Sequence, residues 1–93
     1  MSHKAEISWK RRTPEGRRLE IYAHHVGDRW LFFQRERRVG EYAEVKDPPL
    51  EDWLELIDSI RRRANRRLLP PEEVKRVEKT IRELFPDAVL NDE

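Results

Sequence analysis

The chain has 93 residues, of which 42% are charged, yet basic and acidic side chains nearly balance and the formal net charge is only +1. A chain this short predicts a single domain over residues 1–93, and its near-neutral charge argues against a strong, non-specific nucleic-acid binder. The absence of cysteine excludes disulfides and zinc–cysteine sites. No stretch approaches the ~18 apolar residues of a membrane span and no apolar signal segment opens the chain, so we expect a cytoplasmic protein.

The charge is unevenly distributed along this arginine-rich chain. Residues 1–40 carry ten Lys and Arg against five Asp and Glu, whereas residues 41–93 carry ten against fourteen. A basic half and an acidic half can dock on one another or on a partner of opposite charge.

The first half alternates apolar and polar residues with the two-residue period of strands. The stretches "AEISWKR", "RRLEIYAHHV", "RWLFFQRER" and "EYAEV" predict a four-stranded antiparallel meander over about residues 4–46. "TPEG" predicts a type I turn with positive φ available at Gly16, and Gly27-Asp28 predicts a type II′ hairpin turn. A further tight turn is predicted at Val39-Gly40.

These loops fix a register, because side chains alternate between the two faces of a sheet. One face is apolar, with Trp9, Ile21, Trp30 and Phe32 among its residues, and we predict that it faces the core. The opposite face, here called the outer face, carries a predicted cross-strand row of alternating charge: Lys10, Glu20, Arg35 and Glu44. Each neighbouring pair in such a row contributes a few tenths of a kcal/mol.

The second half changes to helical periodicity. Its apolar spacing predicts helices over about residues 48–68 and 71–85, with a tail over 86–93. The apolar stripe of the first helix includes Leu54, Ile57 and Leu68, and that of the second includes Val77 and Leu84. The expected fold is therefore a two-layer α+β domain, ββββαα, with both helices packed on the apolar face of the sheet.

The residue pattern predicts neither a metal site nor a catalytic site. His24 and His25 are adjacent on a strand and point to opposite faces, so they cannot chelate one ion, and adding His3 still leaves a ligand missing. No serine or threonine lies in a nucleophile motif and no glycine-rich loop is present. We therefore expect no metal, no cofactor and no enzymatic activity.

The outer face is the main candidate binding surface. It brings Tyr22, Leu31 and Phe33 together, with His24 at the rim, on an otherwise charged face. Five cations surround them: Lys10, Arg12, Arg18, Arg35 and Arg37. Aromatic rings within a basic surround are typical of single-stranded nucleic-acid binders, whereas apolar residues on a charged face also mark protein association.

The start of the first helix carries one family resemblance. A meander followed by "PPLEDWLEL" resembles the transcriptional coactivators that bind single-stranded DNA. This sequence lacks the glycine-containing strand that precedes the helix in that family, and it adds a second helix. The resemblance implies a nucleic-acid partner by analogy alone.

The end of the first helix is a second, basic candidate. Arg62, Arg63, Arg66 and Arg67 form either a ridge that binds phosphate or acidic groups, or a solvated helix end that suits the helix dipole. We rank a non-enzymatic binding module first, with protein association, including a homodimer, slightly ahead of single-stranded nucleic-acid binding because the net charge is near zero.

Overall fold

The computed structural model describes residues 6–37 and 40–90. It contains an antiparallel sheet followed by two helices, which confirms the α+β class. The elements are β1 (Glu6–Arg12), β2 (Arg18–Val26), β3 (Arg29–Glu36), β4 (Ala43–Val45), α1 (Leu50–Asn65) and α2 (Pro71–Leu84). The strands and the helices lie in two compact units, residues 1–48 and 49–93. None of the described helices is long and apolar enough to cross a membrane.

The sheet is a meander with strand order β1-β2-β3-β4, as predicted. Glu6 pairs with His24 across β1 and β2, and His25 pairs with Trp30 across β2 and β3, so the predicted register of these strands is confirmed. Both turns contain a glycine with positive φ, as predicted: φ is 93° at Gly16 and 62° at Gly27. Glycine adopts these left-handed conformations without the steric cost that a Cβ brings.

The predicted pairing of β3 with β4 is wrong by two residues. Phe33 pairs with Glu44 and Phe32 pairs with Val45, whereas the sequence had placed Glu44 beside Arg35. The connection is not a two-residue turn at Val39-Gly40 but spans residues 37–42, of which Arg38 and Val39 lie outside the described residues. A shift of two keeps every side chain on its predicted face, since strand periodicity is two.

The apolar face of the sheet is buried, as predicted. Ile7, Ile21, Ala23 and Phe32 are at most 3% exposed, and Trp9 meets Phe32 edge-to-face with ring centroids 6.2 Å apart. Burying such side chains contributes about 1.5–3 kcal/mol each for the larger ones. On the outer face, Lys10, Arg12 and Arg18 are exposed, and Tyr22 and Phe33 are half-buried. The predicted contribution of Ala5 to the apolar face lies outside the described residues.

Both helices start after a proline. Pro49 and Pro70 occupy the N-cap positions in extended conformation, and each helix has an acidic third residue, Asp52 in α1 and Glu73 in α2. These two carboxylates are only 2% exposed, which the sequence did not predict. Their position in the first turn suits the positive end of the helix dipole. Arg76 also donates a 2.7 Å hydrogen bond to Glu73.

The first helix ends three residues earlier than predicted. Arg67 has φ 63°, and the amides of Arg67 and Leu68 donate back to the carbonyl oxygens of Ala64 and Arg63 at 3.0 and 2.8 Å. This is the Schellman arrangement, which satisfies the last carbonyl groups of a helix and stops it. This arrangement is usually built on glycine, so no residue before Pro70 indicated that the helix would stop there.

The buried stripes of the helices differ in part from prediction. In α1, Leu56 and Ile60 are fully buried and Leu54 is 37% exposed, while Leu68, which lies beyond the end of the helix, is 62% exposed. In α2, Val77 and Ile81 are buried, but the last residue, Leu84, is 55% exposed. The two helices are joined by an ion pair in which Arg61 Nη2 donates to Glu78 Oε2 at 2.8 Å, both side chains being largely buried.

Candidate functional site

Three aromatic side chains form a cluster on the outer face. Tyr22 and Phe33 are cross-strand partners whose rings stack with centroids 4.9 Å apart and an interplanar angle of 15°. Tyr42, from the loop before β4, meets Tyr22 edge-to-face at 4.9 Å. Burial raises the pKa of Tyr22 above its usual value near 10, with smaller contributions from Glu6 and Tyr42. Tyr22, Phe33 and Tyr42 are called the aromatic cluster below.

Arg35 is held against this cluster by two contacts. Its Nε donates a 2.9 Å hydrogen bond to Glu20 Oε1, and its guanidinium carbon lies 4.6 Å from the centroid of the Tyr42 ring. The Tyr42 hydroxyl donates to the same carboxylate oxygen at 3.4 Å. The hydrogen bond from Arg35 lowers the pKa of Glu20, and Glu20 raises the pKa of Arg35. Arg35 is thus paired with a carboxylate and an aromatic ring of the protein itself, which makes it less available to a ligand.

Four other cations of the outer face line a cavity of about 270 Å³ at the β1–β2 hairpin end of the sheet. They are Lys10, Arg12, Arg18 and Arg37, which are called the basic cleft below; Arg11, Leu19 and Glu20 complete the lining. Across residues 6–37 and 40–90, none of the four forms an ion pair with a carboxylate. Lys10 contributes a weak charge effect on Glu20. The cleft therefore concentrates positive charge at one end of the outer face.

A second cavity, of about 460 Å³, lies between Tyr42 of the aromatic cluster and the basic cleft. Tyr42 and Ser8 line it, together with Trp9 and Ile21. Lys10 and Glu20 line both cavities, so the two cavities adjoin at this pair of side chains. An extended ligand can follow these cavities with one part on the rings and another in the cleft.

His24 and Leu31 lie at the other side of the aromatic cluster. They pair across β2 and β3 and are both half-buried. His24 Nδ1 is 3.6 Å from Glu6 Oε2, which places the imidazole beside a carboxylate. His25 points to the apolar face, where it stacks on Trp30 with centroids 4.4 Å apart.

No metal site is found among residues 6–37 and 40–90, in which no three His, Asp or Glu side chains are grouped to hold an ion. The divergence of His24 and His25 explains part of this result. His3, the remaining histidine, lies outside the described residues.

The basic ridge at the end of α1 offers fewer free cations to a ligand than the sequence indicated. Arg62 is paired with Asp58, and it also donates to Ser59 Oγ at 3.3 Å. Arg63 is half-buried, whereas Arg66 and Arg67 are exposed but belong to the turn that ends the helix. Among the described residues, Arg66 and Arg67 are therefore the two exposed ridge cations that form no ion pair, against four cations without an ion pair in the basic cleft.

The sequence missed Tyr42 as a member of the aromatic cluster. The predicted register placed it in the row of Arg12, Arg18 and Arg37. Residue preference does not distinguish the observed pairing from the predicted one, because valine in "RRVGE" favours a strand and only the glycine strongly disfavours it.

Comparison with known proteins adds no assignment, because no protein family, no curated protein and no solved structure matches the chain. The resemblance to single-stranded DNA-binding coactivators therefore gains no support, and the functional argument depends on the geometry of the outer face.

Proposed function

We propose that this protein is a non-enzymatic, cytoplasmic binding module whose outer face binds single-stranded nucleic acid. The observation that carries the proposal is the pair of adjoining cavities that places Tyr42 of the aromatic cluster beside four cations without carboxylate partners among the described residues. Net charge favoured protein association, but net charge averages over the whole chain. The local charge of this surface is strongly positive, and it supports the nucleic-acid alternative.

The cations of the basic cleft favour an anionic ligand. Like charges that share a cleft repel one another, and a bound phosphate removes that repulsion while releasing condensed counterions from the nucleic acid. If all four cations contact phosphates, the logarithm of the affinity falls with the logarithm of salt concentration with a slope of about −3. Raising salt from about 50 to about 200 mM then weakens binding roughly 50-fold.

The aromatic cluster favours a ligand with flat rings. Stacking a base on an aromatic side chain contributes about 1–3 kcal/mol and tolerates any base, because every base has a π-face. Tyr22 and Phe33 already stack on each other and are half-buried, and Tyr42 is 37% exposed. The three rings are therefore already assembled in the free protein.

Protein association through the same face, including a homodimer, is the second candidate. The observation that favours it is the apolar group Tyr22, Leu31 and Phe33 on a face that is otherwise charged, with His24 at its rim. Light scattering at high micromolar concentration tests the homodimer, which requires twice the monomer mass. The Leu31→Ser variant should then dissociate it, whereas the same change has little effect on binding an oligonucleotide at the cleft.

The main test is a titration of the full chain with a twelve-residue oligothymidylate and its oligouridylate counterpart, at low and moderate salt. We expect chemical shift changes at Tyr22, Phe33 and Tyr42 and the steep salt dependence derived above. Phe33→Leu keeps an apolar side chain at that position but removes a stacking ring, so it should weaken binding about tenfold. Absence of binding to both oligonucleotides at low salt contradicts the proposal.

A further inference from the structure

We propose that the basic cleft is a phosphate-binding site, separate from the stacking surface and occupied by a phosphate group more than one nucleotide away from the base on the aromatic cluster. The inference rests on the proposed function for the identity of the ligand. It goes beyond that function by assigning the phosphate site to Lys10, Arg12, Arg18 and Arg37, and by excluding Arg35.

The cations of the outer face are unevenly distributed along the strands. The row that contains Tyr22 and Phe33 has no cation within it, and the next row pairs Arg35 with Glu20 at 2.9 Å. Only beyond that pair do Arg12 and Arg18 face each other across β1 and β2. The uncompensated positive charge therefore begins where the aromatic cluster ends.

Arg12 and Arg18 lie directly opposite each other in β1 and β2, so two like charges are cross-strand neighbours. Like charges at directly opposed positions destabilise a strand pair. Arg37 adds a third guanidinium to the same cavity, and its backbone amide donates to the carbonyl of Arg18 at 2.9 Å, which anchors its main chain beside β2. Guanidinium groups form paired hydrogen bonds with phosphate oxygens, so a phosphate converts this repulsive cluster into a stabilising one.

The spacing of the two parts limits the ligand. Tyr22 and Arg18 are four residues apart on the same face of β2, which is about 13 Å at the usual rise of a strand. A mononucleotide joins base and phosphate through a single sugar and is shorter than this distance. A nucleotide ligand that contacts both Tyr22 and Arg18 along this line therefore contains more than one nucleotide.

The test uses inorganic phosphate and thymidine nucleotides of increasing length on the full chain, followed through the backbone amide and arginine Nε signals. Inorganic phosphate should shift the signals of Arg12, Arg18 and Arg37 when chloride at equal ionic strength does not, and it should leave Tyr22 and Phe33 unchanged. A tetranucleotide should shift both groups of signals and bind more tightly than the monophosphate.

Two variants and a matched control make the assignment specific. Arg18→Ala and, independently, Arg12→Ala should weaken phosphate binding about tenfold, and each should make the salt slope for the oligonucleotide shallower by about 0.7. Arg29→Ala is the control: Arg29 is exposed at the opposite end of the sheet, outside the cavity. It removes the same charge from the same sheet, and circular dichroism checks that all three proteins are folded.

The outcomes separate this inference from the proposed function. If the oligonucleotide binds but Arg18→Ala and Arg12→Ala behave like Arg29→Ala, the phosphate site is wrong and nucleic-acid binding stands. If phosphate binds in the cleft but no oligonucleotide binds, the site stands and the proposed function is wrong. If neither ligand binds, or if an acidic peptide binds and phosphate does not, the phosphate site is overturned.

Discussion

Replacing Arg67 with glycine should stabilise the protein. Arg67 is the only non-glycine residue of the described chain with positive φ, at 63°, and it occupies the position of the helix end that glycine usually fills. The left-handed conformation costs an L-residue roughly 1–2 kcal/mol. Glycine avoids that cost but loses about 0.5–1 kcal/mol more conformational free energy on folding. The expected net gain is about 0.5–1 kcal/mol.

Thermal unfolding followed by circular dichroism measures this effect. A gain of that size raises the melting temperature of a small domain by about 3–6 °C. Arg66→Gly is the matched control, because Arg66 is the adjacent residue, carries the same charge and has an ordinary φ of −93°. There glycine brings only its entropic cost, so the melting temperature should fall. If both variants lower the melting temperature equally, Arg67 is not strained and the explanation of the helix end is wrong.

Three further predictions concern side chains that the structure pairs or buries. The lowered pKa of Glu20 means that its carboxylate stabilises the fold above the unfolded pKa near 4.5 and that this stability is lost as pH falls through the lower folded value. In urea unfolding, the difference between wild type and Glu20→Gln should therefore shrink from pH 7 toward about pH 2. The raised pKa of Tyr22 keeps its hydroxyl protonated in the folded state above pH 10, so stability should decline as pH rises beyond 10, and less so in Tyr22→Phe; equal alkaline losses would show that Tyr22 is not responsible. Glu78→Gln should lower the free energy of unfolding by about 1 kcal/mol, because it weakens the charged hydrogen bond from Arg61. The exposed Glu72→Gln should change it by less than about 0.5 kcal/mol, and similar losses in both variants would contradict a specific role for the pair.

The parts of the fold that follow from short-range chemistry were predictable. The Gly27-Asp28 turn and the Thr13–Gly16 turn fixed the register of β1, β2 and β3, since each loop length determines which residues pair. The buried face followed from the alternation of apolar residues. Start signals also placed α2 within one residue, because Pro71 fits the first helical position.

The parts that failed depend on information that is not local. The end of α1 uses a left-handed arginine, which residue preference assigns to glycine. Asp52 and Glu73 are buried, and residue-type statistics assign aspartate and glutamate to the surface. Leu54 and Leu56 both fit a helical stripe, and only tertiary packing decides that Leu56 is buried and Leu54 exposed.

The two-residue error in the pairing of β4 has the largest consequence for function. The predicted register continued the alternating row by placing Glu44 beside Arg35 and left Tyr42 among the arginines. In the structure, Tyr42 instead contacts Arg35, Tyr22 and Glu20. An aromatic ring, and not a carboxylate, is therefore the neighbour of Arg35 at the end of the row that contains Lys10, Glu20 and Arg35. The same change removes a carboxylate from the basic end of the sheet. A surface that the sequence described as mixed aromatic and basic is thus divided into a stacking half and a cationic half. A division of this kind favours a ligand that is itself divided into flat rings and anionic groups along its length, as a nucleic-acid strand is.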